Sequence, residues 1–279
     1  TSITRFGTLT TMLINCLIVV TGHLGREGGN KFSAGIIDAS KFGGGSIGEN
    51  PGRASGLPDV GGTLPSLSMI KDIETPGPEQ VKALLMIAAN PCLTSTGAGP
   101  KMDAAMQKLD LFVSLDLYMN DTNRFADYIL PSAGMFERED IPLLGFVEML
   151  RPTLFATEAV IPKQGESRED WEILDEICRR LGHGSTLPLR PVRILAKMGL
   201  RVKPRHLMDL MIRTSSVGDK YGLKPGGLNL KKLQTQYPNG FVLHEQLPDV
   251  DISKKLKTPD KKVHLGTPEL CAEMERLKS

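Results

Sequence analysis

The stretch LLMIAANPCLTSTGAGP, residues 84–100, decides how the rest of the chain is read. Its apolar run stops at Ala89-Asn90-Pro91 and gives way to small, hydroxylated and glycine-rich residues. A continuous apolar run of this length is expected of a strand covered on both faces, as in parallel sheets. Such a strand, emptying into backbone N–H groups, hydroxyls and an amide, forms either a plain strand-to-helix turn or one wall of a ligand site. N–H groups ahead of a helix suit a phosphate.

Working outward, LFVSLD (111–116) and DYILP (127–131) are two more apolar runs. Between the three lie PKMDAAMQKLD (100–110), with apolar residues at helical spacing, and NDTNRFA (120–126), which could form a short helix. Strand–helix–strand–helix–strand with short connections predicts neighbouring parallel strands at 83–88, 111–115 and 127–130. The fold class is therefore α/β, a parallel sheet flanked by helices. Three strands are few for such a sheet, so the unit is expected to be incomplete within this chain. A mixed, mostly helical C-terminal part follows.

The flanks read differently. Residues 1–20 look helical and stop at Gly22, and their most apolar stretch, MLINCLIVVTG (12–22), is shorter than the roughly 20 residues of a membrane span. Residues 22–66 are dense in glycine without periodicity, an uncommon length for a structureless segment, so the chain is expected to expose apolar surface or to leave 22–66 poorly ordered. GESREDWEILDEICRRLG (165–182) is a marked helix, with Ser167 as the candidate cap and Asp170 three residues on. Its expected apolar stripe is Trp171, Leu174, Ile177, Cys178 and Leu181. Shorter helices are predicted near 190–198, 204–213, 229–236 and 268–278. The domains suggested are 1–66, 67–140 as the α/β unit, and 141–279.

Composition excludes more than it assigns. Charged residues make up 24% of 279 and the net charge is +2, too small to argue for nucleic acid or an anionic membrane. The four cysteines form no C-x-x-C pair and the five histidines are scattered, so neither a metal-ligand cluster nor a disulfide framework is read. No nucleophile with an adjacent base is legible, and catalytic residues stay unassigned. Asp116, ending the second strand, is a candidate for a guanine edge, because an ionised carboxylate offers two acceptor oxygens to two parallel N–H groups. Asn120 could add a polar contact, although both residues also suit a cap or a turn.

In combination the segments are more specific. TGHLGREGG (21–29), VKALLMIAANP (81–91), LDLFVSLDLYMNDTNRFADYILPSAGMFERED (109–140) and the 165–182 helix, in this order, resemble the molybdopterin oxidoreductases of the dimethyl sulfoxide reductase superfamily. That superfamily includes formate dehydrogenases, nitrate reductases and polysulfide reductases, and the likeness implies a Rossmann-like cofactor domain. The resemblance implies two molybdopterin guanine dinucleotides around molybdenum or tungsten. By it, Asn90, Pro91, Thr94 and Ser95 line a phosphate and sugar region, Asp116 and Asn120 read guanine, and Asp170 adds a polar contact. Ala89 departs from the glycine usual before Asn-Pro. NPGRASGLPD (50–59) stands about where formate dehydrogenases carry Arg-Gly-Gln-Asn-Asn, with Arg53 the candidate for a substrate arginine.

The resemblance also implies that the chain is the central portion of a longer catalytic subunit. A 4Fe-4S centre, the protein ligand of the metal and a C-terminal cofactor domain are expected outside it. Expected partners are those remaining parts and an electron-transfer subunit, in a cytoplasmic setting, with no nucleic acid and no membrane span. The alternative is a metal-free scaffold resembling the large iron–sulfur subunit of respiratory complex I.

Overall fold

The computed structural model describes residues 4–32, 35–36, 48–95, 97–142, 149–187, 190–256 and 258–278. In chain order its elements begin with α1 (Gly7–Val20), α2 (Ser68–Glu74), β1 (Ala83–Ile87), α3 (Pro91–Thr94), α4 (Gly99–Met106) and β2 (Leu111–Asp116). Next come β3 (Tyr128–Pro131), β4 (Thr153–Leu154), α5 (Asp170–Arg180), α6 (Arg190–Lys197), α7 (Pro204–Thr214) and α8 (Leu230–Gln236). The last are β5 (Phe241–Val242), α9 (Ile252–Lys255) and α10 (Pro268–Leu277). They divide into two compact units that cut across the three consecutive segments suggested by the sequence. One joins Thr1–Ile37, Leu143–Leu154 and Gly240–Ser279; the other joins Asp38–Pro142 and Phe155–Asn239.

The larger unit holds the sheet. Its order is β1-β2-β3 and both pairings are parallel, with Ile87 opposite Leu115 and Leu115 opposite Leu130. The three apolar runs thus form the expected neighbouring strands. On one face Leu84, Met86 and Phe112 pack with Ile70 and Ile73 of α2 and with Met102, Ala105 and Met106 of α4. Those helices present apolar residues at helical spacing, so one face of each reaches the sheet. The other face is only partly covered: Leu85 is 43% exposed and Tyr128 62%. The expected burial of β1 on both faces is therefore not found among the described residues. An apolar run records what a strand tolerates, and only long-range packing decides what covers it.

Two local expectations change. The presumed loop 90–99 contains a turn of helix, α3, directly after Asn90. The cap of α5 is Glu169 rather than Ser167. Its side chain takes the third N–H of the helix, and Glu172 returns a bond to the Glu169 N–H at 3.1 Å. Lys163 bridges both carboxylates, 3.3 and 2.8 Å away, and fixes this register, while Ser167 Oγ lies beside Glu137. Of the stripe expected on α5, Trp171, Leu174, Ile177 and Cys178 are half-buried. Ile173 and Asp175 are its buried residues, and Leu181 is exposed.

The smaller unit gathers distant segments. Thr153–Leu154 and Phe241–Val242 pair antiparallel, and α1 packs against α10. Within α1, Leu13, Ile14, Leu17 and Val20 are exposed, and no helix among the described residues is long and apolar enough to cross a membrane. The GREGG motif closes a tight turn there. Gly25 N–H donates to Asn30 O at 2.7 Å and Asn30 N–H to His23 O at 2.9 Å. A Cβ on Gly29 would be driven into the His23 carbonyl, which restricts the position to glycine. Of the glycine-rich expectation, residues 33–34 and 37–47 lie outside the described residues.

Phe112 is 1% exposed between the sheet and α4. Phe112→Ala is expected to cost about 3–5 kcal/mol in urea-induced unfolding. On α5, Glu176 accepts bonds from Arg179, Arg180 and Arg201, which hold its carboxyl at about 2 against an ordinary 4.5. A lowered carboxylate contributes its full stabilisation above the unfolded value and loses it as pH falls through the folded one. The Tm difference between wild type and Glu176→Gln should therefore be level above about pH 5 and shrink between about pH 4.5 and 2.

Candidate functional site

Parallel strands end together, so β1, β2 and β3 deliver Ala88–Pro91, Asp116 and Ser132 to one edge, where open parallel sheets bind ligands. The β1 exit is strained. Ala88 has φ 47°, a left-handed conformation unusual for alanine, and its N–H is tied to Leu115 O at 2.9 Å. The departure from the usual glycine at Ala89 thus sits beside a backbone that already bends as glycine would. Pro91 then opens α3 and is buried.

The amides of this arm are engaged within it. Leu93 and Thr94 N–H donate to Asn90 O, and Ser95 N–H donates to Pro91 O. Thr94 Oγ1 bonds Asn90 O at 2.9 Å, and Ser95 Oγ bonds Ser66 Oγ at 3.0 Å. The expected row of free N–H groups ahead of a helix is therefore not found at Leu93–Ser95. The polar surface they leave is made of side-chain oxygens, with Thr94 exposed and Ser95 half-buried.

Asp116 is half-buried at the end of β2. One carboxylate oxygen accepts from Leu117 N–H at 2.7 Å and the other from Asn120 Nδ2 at 2.9 Å. Asn120 Oδ1 in turn accepts from the N–H groups of Thr122 and Asn123, both at 2.9 Å. The carboxylate orientation is thus set before any ligand arrives, with acceptor sites to spare. The side chains after it are bare: Tyr118 is 78% exposed and Met119 70%, while the Tyr118 carbonyl is anchored by buried Asn123. Asp170 joins the edge through β3. Ser132 Oγ donates to Asp170 Oδ1 at 2.5 Å, and Ser132 N–H donates to Asp116 O at 3.2 Å.

The structure thus links Asn90, Asp116, Asn120 and Asp170 to one sheet edge, with Pro91 beneath and Thr94 and Ser95 on the flank. Sequence reading missed Thr122 and Asn123, both fully buried, and Ser132. Their only signal was polar residues next to a strand end. A cavity of about 880 Å³ reaches this region, but along the outer edge of β1, between Leu64, Met69, Met86, Asn90 and Thr94. Asp116 is not among its lining residues. Between Asp116 and the Asn90 arm stands a chain of hydrogen bonds through Thr122 rather than that cavity. Arg53 is engaged elsewhere, donating to Asp72 O and Thr75 O at the end of α2. Burial is the main influence on the Cys92 thiol beside this network and pushes it up, so it is protonated at neutral pH. Among the described residues no three His, Cys, Asp or Glu side chains converge as metal ligands.

Residues 4–180 match the family model described as molybdopterin oxidoreductase. Among curated proteins the chain is 28% identical over 229 residues to "Probable oxidoreductase YyaE" of Bacillus subtilis strain 168, covering 77% of this chain and 32% of that protein. It is 31% identical over 121 residues to the thiosulfate reductase molybdopterin-containing subunit PhsA of Salmonella typhimurium, covering 43% of this chain and 16% of that subunit. Among solved structures, acetylene hydratase from Pelobacter acetylenicus superposes with a TM-score of 0.50 at 19% identity, over 78% of this chain and 25% of its own. That likeness carries the fold. The chain spans about a third or less of the length of these relatives.

Relieving the strain at the β1 exit should stabilise the protein. Ala88→Gly removes about 1–2 kcal/mol of left-handed strain and returns about 0.5–1 kcal/mol of unfolded-chain entropy. The expected outcome is a gain of up to about 1 kcal/mol by chemical unfolding. Ala88→Val should lower stability.

Proposed function

The chain belongs to the molybdopterin oxidoreductase family, and from that premise we propose that it holds the guanine end of a molybdopterin guanine dinucleotide at the carboxyl edge of its sheet. The family implies a molybdopterin cofactor with molybdenum or tungsten; the dinucleotide form is the proposal. The carrying observation is Asp116, a half-buried carboxylate at the end of the middle strand, aimed by Leu117 N–H and Asn120 Nδ2.

The fit is chemical. Guanine presents two parallel N–H donors, and Asp116 keeps acceptor lone pairs beyond the two already engaged. Exposed Tyr118 and Met119 next to it offer the apolar surface on which a planar base rests. Asn90, Thr94 and Ser95 flank the side on which sugar and phosphate would lie, Pro91 stiffens the turn beneath them, and the Ser132–Asp170 pair borders the third strand. When bound, such a cofactor supplies redox chemistry at its metal. This chain's own residues bind and orient the nucleotide, and no metal ligand is assigned to it. The surrounding protein is proposed to be an oxidoreductase of the formate dehydrogenase and nitrate reductase kind. Its remaining parts would carry a 4Fe-4S centre and the metal ligand, and an electron-transfer subunit would serve it.

Two observations favour the alternative of a metal-free scaffold: the amides and hydroxyls at the sheet edge bond one another, and the cavity does not include Asp116. Two substitutions separate the readings. A charge-assisted bond to guanine contributes about 1.5–3 kcal/mol, so Asp116→Ala should weaken guanosine diphosphate binding by about tenfold or more. Asp116→Asn keeps the shape but sets an NH₂ against the base donors, and should weaken binding comparably. Calorimetric titration of the chain, with guanine dinucleotide content of the full-length protein, checks both. Wild-type binding and content in both variants would remove Asp116 from the site, and wild-type protein that neither binds the nucleotide nor carries the dinucleotide would favour the scaffold.

A further inference from the structure

We infer that Thr122 is a positioning residue that locks the two arms of the nucleotide site into one unit; this rests on the guanine reading above. Thr122 is fully buried. Its Oγ1 donates to Asn90 Oδ1 at 2.8 Å and accepts from Cys92 N–H at 2.9 Å. Its own N–H donates to Asn120 Oδ1 at 2.9 Å, and Asn120 Nδ2 donates to Asp116 Oδ2 at 2.9 Å. A single residue therefore ties the arm leaving β1 to the carboxylate that ends β2. The hydroxyl is the component that valine cannot replace. A side chain that merely filled space would need neither a donor to one partner nor an acceptor for the other.

The coupling has a direction. Asn90 takes its orientation from Thr122 on its Oδ1 side, with only an exposed contact to Asp121 at 3.2 Å on the other. Removing the hydroxyl frees the Asn90 amide and leaves the Cys92 N–H without its partner, beneath the first turn of α3. Any slack then reaches both the sugar side and the base side of a bound nucleotide.

Thr122→Val, nearly isosteric, and Thr122→Ser, which keeps the hydroxyl, form the test. In the 279-residue chain, Thr122→Val should weaken guanosine diphosphate binding by about fivefold to tenfold, the effect of losing one oriented hydrogen bond. Thr122→Ser should stay within about twofold of wild type, since the hydroxyl it retains is what Val lacks. Amide NMR and hydrogen exchange without nucleotide give a second readout. Thr122→Val should speed exchange at Cys92 and also shift the Leu117 amide, which reports on Asp116 from the other arm. Asn90→Ala probes the same link from its far end, so a poorly folded valine variant leaves the test intact. Wild-type protein that fails to bind the nucleotide refutes the guanine reading alone, and the Leu117 shift still judges the coupling. A Leu117 amide unmoved by both Thr122→Val and Asn90→Ala overturns the inference, as does wild-type binding by folded Thr122→Val.

Discussion

Parallel pairing of three strands in fixed register is the constraint on which this chain depends. With Ile87 opposite Leu115 and Leu115 opposite Leu130, the strands cannot end at separate places. Their exits, rich in Asn, Asp, Thr and Ser, must share one edge, and their backbone groups there must find partners or remain in water. The network from Asn90 through Thr122 and Asn120 to Asp116 is the local solution. It satisfies buried polar groups of two loops by direct hydrogen bonds.

That solution limits what the edge can do. Leu93, Thr94 and Ser95 have their N–H groups engaged by carbonyls of their own turn, so they do not form an anion cradle. What stays available is acceptor capacity on Asp116 and the bare side chains of Tyr118 and Met119. A ligand recognised here is one that donates hydrogen bonds and offers a flat face. The outer groove along β1 is a different environment, walled by Leu64, Met69, Leu84 and Met86.

Legibility in the sequence followed the range of the forces involved. The three strands and the helices at 190–197, 204–214, 230–236 and 268–277 were readable because apolar patterning is a local signal, whereas the single turn Ile252–Lys255 was not. The cap of α5 was not, because the local rule favours Ser167, whereas the pairs that Lys163 makes with Glu169 and Glu172 favour the later start. Pairing of Thr153–Leu154 with Phe241–Val242 left no trace in either segment, being two residues long on each side. At the site, Asp116 stood out as a charge ending an apolar run. Thr122 did not, since a threonine in NDTN looks like any turn residue until burial shows otherwise.

The discontinuous smaller unit sets a timetable for synthesis. Its first segment closes at Ile37, and its last begins only at Gly240. A ribosome adding about 5–20 residues per second needs roughly 10–40 s to cover that interval. Throughout it α1, with its Leu and Ile side chains, has no α10 to pack against. The larger unit, drawn from the sequence in between, is itself unfinished until Asn239. The smaller unit can therefore close only after nearly all of the intervening sequence has been made.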